Sequence, residues 1–183
     1  DRTTADAAYR LACEGTALLW RGDFQNARQL LQAMARRLDR KPRKAASSPT
    51  EAFNFHRQSQ SQRARTLGML LLPLEADFSI PLRRAPNVKE ACAEAYGVGE
   101  EPSVVSLREL LGVIGAHEWR KKGVDIPALG ERIHPHYGVF SPVRGEYVQL
   151  VAEAPLPTSK LAFDIGTGTG VLAAVLAKRG IKH

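Results

Sequence analysis

The sequence predicts a mainly α-helical N-terminal part that leads into the opening of an α/β unit, namely a first strand, a glycine loop and a first helix. Two observations carry the helical part. Apolar residues recur at three- and four-residue spacing in several early segments, and prolines cut the chain between them. A third carries the α/β part: near the end, an apolar run, alternating glycines and a helical apolar face follow one another without a break.

Taken in order, Thr4 to Trp20 reads as a helix with Ala8, Leu11, Ala12, Leu18 and Leu19 apolar. Gly22 and Asp23 break it, and Asp23 has the side chain to cap the next helix. Phe24, Ala27, Leu31, Met34 and Leu38 then mark one face of that second helix. Residues 39–50 are the best linker, with Pro42, Ser47, Ser48 and Pro49 among clustered charge. A third helix is expected from Thr50 onward, polar in its middle through Gln58, Gln60 and Gln62. Val88 to Tyr96 should form a short helix ended by Gly97. Ser106 is placed to cap a longer one bearing Leu107, Leu110, Leu111, Ile114 and Trp119. Ile126 to Val139 is punctuated by Pro127, Gly130, Pro135 and Gly138 and should be irregular or briefly extended. Glu146 to Glu153 reads as a helix stopped before Pro155. The domain division expected is 1–130 for the helical part and 131–183 for the α/β part.

With 183 residues, 44% of them hydrophobic and 25% charged, the chain has a globular composition, which excludes wholesale disorder. Its longest apolar stretch, Met69 to Leu74, falls far short of the ~20 residues of a membrane helix. Two cysteines, Cys13 and Cys92, exclude a disulfide framework. Both are expected to be small buried apolar residues, and a reducing, cytoplasmic setting is expected. The formal charge is +7, and its distribution is uneven. Residues 36–44 hold Arg36, Arg37, Arg40, Lys41, Arg43 and Lys44 against Asp39, with Arg57, Arg63 and Arg65 following. Such a run suits phosphates. Segment 36–44 is therefore expected to meet a nucleic acid, with a solvated helix end the plainer reading.

The chemistry lies in the last 24 residues. Lys160 to Asp164 is a short apolar run suited to a strand covered on both faces. Gly166-Thr-Gly-Thr-Gly170 follows, then Val171, Leu172, Val175 and Leu176 on a helix ended by Gly180. Glycines at alternate positions let a ligand approach the backbone, and the helix N-terminus offers unpaired N–H groups. A dinucleotide fingerprint needs glycine where Val171 stands, and a P-loop needs a lysine directly after Gly170.

The string Asp164-Ile-Gly166-Thr-Gly168-Thr-Gly170 resembles the first motif of class I S-adenosylmethionine-dependent methyltransferases. Upstream, Ile133 to Pro142 and Glu146 to Val151 resemble the lead-in of the small-domain members, which act on release-factor glutamine or ribosomal-RNA guanine N2. Val143 after Pro142, and Gly145 before Glu146, depart from the release-factor type, and Gly138-Val-Phe-Ser141 leans toward the RNA-modifying type. The resemblance covers about residues 131–183 and implies a Rossmann-like methyltransferase domain with S-adenosylmethionine as cofactor. It implies cofactor contacts from Asp164, Gly166, Thr167, Gly168, Thr169 and Gly170, with Phe140 and Tyr137 as covers. Asp164 would favour the methionine ammonium, and the threonine hydroxyls would donate hydrogen bonds. The family's acidic residue at the end of the next strand and its Asn-Pro-Pro-aromatic motif are not in this sequence. On this resemblance the chain is expected to be the N-terminal portion of such an enzyme, inactive as it stands, with no catalytic residue of its own. Its substrate would be a nitrogen in RNA or in a translation-associated protein, so the partner implied for the basic segment 36–44 is RNA or a ribosome- or translation-associated protein.

The alternative is a helical RNA- or protein-binding module without catalysis. His134 and His136 would share a face of an extended segment, but no further ligands accompany them, so no metal is expected. His117-Glu118 lacks the second histidine of a zinc-protease helix, since Lys121 stands there.

Overall fold

In the computed structural model of the protein, residues 3–40, 45–141 and 145–183 are described. They are mixed α/β, with seven helices and five short strands. The chain divides into two compact units, Asp1–Ile114 and Gly115–His183. Residues 115–130, grouped with the N-terminal part on sequence grounds, fall in the second unit.

The first unit opens with α1 (Ala5–Cys13), whose N-cap Thr4 accepts from the Ala7 amide and whose buried face is Ala8 and Ala12. The helix expected to reach Trp20 stops at Cys13, and Leu18–Leu19 form strand β1 instead. Cys13 is exposed, contrary to expectation, while Cys92 is buried. Helix α2 (Phe24–Asp39) buries Phe24, Ala27, Leu30, Leu31 and Met34. The Asp23 carboxylate caps it, accepting from the amides of Gln25 (2.9 Å) and Asn26 (3.3 Å). Helix α3 (Pro49–Gly68) starts with Ser48 as N-cap and Pro49 in its first turn.

Strand β2 (Leu70–Leu74) is the middle of a three-stranded sheet, parallel to β1 and antiparallel to β3 (Ser103–Ser106). The N-terminal part is therefore not helices alone. Pro73 lacks the N–H that a central strand needs. It is tolerated because β1 pairs only as far as Leu71, so Pro73 has a neighbour on one side only. Leu70, Leu72 and Leu74 alternate onto the buried face. Helix α4 (Lys89–Tyr96) and the first turns of α5 (Leu107–Lys122) complete this core, in which Leu107, Leu110 and Val113 are buried. Each buried leucine contributes about 1.5–3 kcal/mol relative to exposure.

In the second unit, β4 (Val124–Ile126) and β5 (Glu131–Ile133) form an antiparallel hairpin with Val124 opposite Ile133. Helices α6 (Glu146–Glu153) and α7 (Val171–Lys178) pack on one another, and Val124, Ile126, Val148, Val171 and Val175 form the core. Lys160–Asp164 is not a regular strand, contrary to expectation. Two hydrogen bonds join it to His183, and a third joins the preceding Ser159 to Lys182, too few for a ladder. No parallel doubly wound sheet is present among the described residues, and no helix is long and apolar enough to cross a membrane.

Candidate functional site

The predicted glycine loop joins the segment 160–164 to α7 within the second unit. The Ala162 amide donates to the His183 carbonyl (2.9 Å), and the His183 amide donates to the Lys160 carbonyl (3.2 Å). These two bonds straddle Leu161 in the pattern of a parallel pair. The chain thus leaves along 160–162, turns through the loop, returns by α7 and runs beside its start in the same direction. That is the course of a strand–helix–strand crossover, in miniature.

Helix α7 is anchored by its basic end. Lys178 Nζ donates to the carbonyls of Ala128 (3.1 Å) and Leu129 (2.9 Å) in the turn of the β4–β5 hairpin. The Arg179 guanidinium donates to the carbonyls of Val151 and Ala154, both at 2.6 Å. Those carbonyls close α6, where a helix leaves acceptors unpaired and favours a cation. Neither residue was singled out from the sequence, although a basic pair in a last helical turn is a legible signal.

Within the loop, Thr167 Oγ1 donates to Asp164 Oδ2 (3.1 Å), so the strand end and the loop are tied by their own side chains. Gly170 is in the left-handed region (φ 75°) and serves as N-cap of α7 without a side-chain bond. Its amide donates to the Thr167 carbonyl (2.8 Å). Among the described residues this is the only hydrogen bond donated by the backbone of residues 165–170. Gly166, Thr167 and Gly168 are exposed, and Thr169 and Gly170 half-buried. The loop's other amides therefore have no acceptor among the described residues, beside the N-terminus of α7.

Gly168 has φ 53°, and a Cβ there would stand 3.0 Å from the Phe140 carbonyl oxygen and 3.5 Å from Phe140 Cβ. Phe140, 69% exposed, thus sits directly over the loop. The structure brings together Asp164, Gly166, Thr167, Gly168, Thr169, Gly170 and Phe140. Tyr137 is placed elsewhere: with Trp119, Val124, His136 and Val139 it lines a hollow of about 230 Å³ to which no loop residue contributes. Pro142 and Val143, part of the lead-in, lie outside the described residues, as do residues 41–44 of the basic run. His134 Nδ1 donates to the Arg120 carbonyl (2.6 Å), and no cluster of three metal-ligating side chains occurs among the described residues.

No protein-family model, no curated protein and no solved structure matches the chain.

Proposed function

We propose that Asp164 to Gly170, the N-terminus of α7 and Phe140 form one side of an S-adenosylmethionine site. The chain is then part of a methyltransferase acting on a nitrogen of RNA or of a translation-associated protein. The observation that supports this best is the pairing of Gly168 with Phe140: backbone free of side chains, donors without acceptors among the described residues, and a ring standing at its edge.

The residues fit the cofactor's chemistry. A carboxylate at Asp164 suits the methionine ammonium, and it is already oriented by Thr167. The loop amides and the first amides of α7 suit the carboxylate end and the ribose oxygens. Phe140 would shield the sulfonium from water. The cofactor supplies a methyl group on a cationic sulfur, open to in-line displacement. This chain's contribution would be orientation of the cofactor.

Saturation-transfer NMR with S-adenosylmethionine tests this reading, since it detects weak binding. The cofactor's protons should receive saturation from the wild-type chain, and at least several-fold less from Asp164→Asn or Gly168→Val. Equal transfer from all three chains would contradict it.

A further inference from the structure

From His56 to Gln62, seven consecutive residues of α3 are exposed, about two full turns. A helix on a folded unit normally hides an apolar stripe. Here Gln58, Ser59, Gln60, Ser61 and Gln62 offer none, and burial begins only at Thr66 and Leu67. The helix is secured at its ends. Ser48 Oγ accepts from the Glu51 amide, and Glu51 reaches back to the Ser47 amide and hydroxyl, a reciprocal cap of the kind that fixes a helix start. Twelve residues after Glu51, Arg63 pairs with Asp39 and donates to the Ala35 carbonyl, both in the last turns of α2. Between them, residues 56–62 form an exposed arm of the helix.

A partner protein that takes a helix into a groove reads apolar anchors at i, i+3 and i+4, and residues 56–62 have none. What surrounds the arm is positive charge. Arg37 and Arg63 are neutralised by Asp6 and Asp39. Arg36, Arg40, Arg57 and Arg65 have no carboxylate partner among the described residues. Because Arg63 touches Asp39, Arg36 and Arg40 of the α2 end lie within a turn of that junction. Arg57 stands about 9 Å along α3 from it. The Arg57 guanidinium carbon lies 5.8 Å from the Phe53 ring centroid, and Phe53 is 59% exposed. A guanidinium stacked on an open ring presents planar surfaces of the kind on which unpaired bases stack.

We infer that the free length of α3 and the arginine-rich end of α2 bind single-stranded RNA, the arginines meeting phosphates and the Arg57–Phe53 stack meeting a base. The choice of RNA rests on the proposed methyltransferase reading; the cationic surface does not.

The test is fluorescence anisotropy of a labelled single-stranded RNA with the whole chain, between about 50 and about 200 mM salt. The double variant Arg57→Ala/Arg65→Ala should flatten the slope of log affinity against log salt by about 1.4, from about 0.7 per phosphate on a single strand. Phe53→Ala should weaken binding about tenfold with its slope nearly unchanged, as lost base stacking predicts. These side chains are exposed, and unchanged circular dichroism confirms that the variants fold. Wild-type slope and affinity in the variants would overturn the inference. So would equal binding of a polyglutamate of matched length, or tighter binding of duplex DNA. S-adenosylmethionine saturation transfer should be unchanged in these variants. Its absence from the wild-type chain with RNA binding intact would sink the cofactor reading and leave the arm's role standing.

Discussion

The Phe140 carbonyl oxygen lies 3.0 Å from the point at which a side chain on Gly168 would begin. Two residues 28 positions apart are thereby held so close that a side chain on the second would require Phe140 to give by a few tenths of an ångström. The Gly168 φ of 53° points the same way, because L side chains pay about 1–2 kcal/mol in the left-handed region.

Gly168→Ala should therefore destabilise the second unit more than Gly166→Ala. Both glycines have positive φ, but a Cβ on Gly166 meets nothing within 4 Å. The expected loss is about 1 kcal/mol for Gly166→Ala and about 2 or more for Gly168→Ala. Urea denaturation followed by amide exchange of α7 would rank them, and equal losses would mean that Phe140 does not constrain the loop.

Arg179→Met should loosen α6 and α7 together. It removes two charged hydrogen bonds to the end of α6, for a loss of about 2–4 kcal/mol. Hydrogen exchange should accelerate in α6 and α7 while α2 keeps its protection.

Asp23 gives the first unit an acid-sensitive joint. The Arg84 guanidinium beside it, aided by the Gln25 and Asn26 amides, lowers its carboxyl from 3.8 to about 2. A carboxyl depressed in the folded state contributes stability that is present above its unfolded value and lost as pH falls through its folded one. The contribution should therefore be whole above about pH 4 and fade toward pH 2. Asp23→Asn keeps a cap acceptor and loses the charge pair. Its denaturation midpoint should lie below wild type at pH 6 and converge with it near pH 2. A gap independent of pH would contradict the assignment.

The two cysteines should separate kinetically. Cys13 is exposed, whereas burial of Cys92 raises its thiol above the usual range. An aromatic disulfide reagent should modify Cys13 at once and Cys92 only on unfolding, as mass spectrometry of the digest would show.

The parts of the fold that were legible in sequence are those fixed by local chemistry. Helix α2 follows from a capping aspartate and an apolar stripe, and α4, α6 and α7 from periodicity with Gly or Pro stops. Strand β2 was hidden because an apolar run containing Pro73 does not read as a central strand. Only its short neighbour β1 makes the proline acceptable. The overlong first helix has the same cause: Leu18 and Leu19 continue a helical stripe, and a pairing with Leu70 and Leu71, 52 positions away, overrides it. Of the proposed site, the loop glycines and Asp164 were named from the resemblance of their string to a methyltransferase motif. The approach of Phe140 to Gly168 depends on how the second unit packs. The fixing of α7 by Lys178 and Arg179 depends on carbonyls left open at distant turns.

The central claim is that residues 164–170 and Phe140 receive S-adenosylmethionine. It is tested most directly by recording amide correlation spectra of the isotopically labelled chain while the cofactor is added. The account predicts shifts confined to Asp164–Leu172 and Phe140. Unmoved loop amides at saturating cofactor, or shifts centred on another part of the chain, would contradict it.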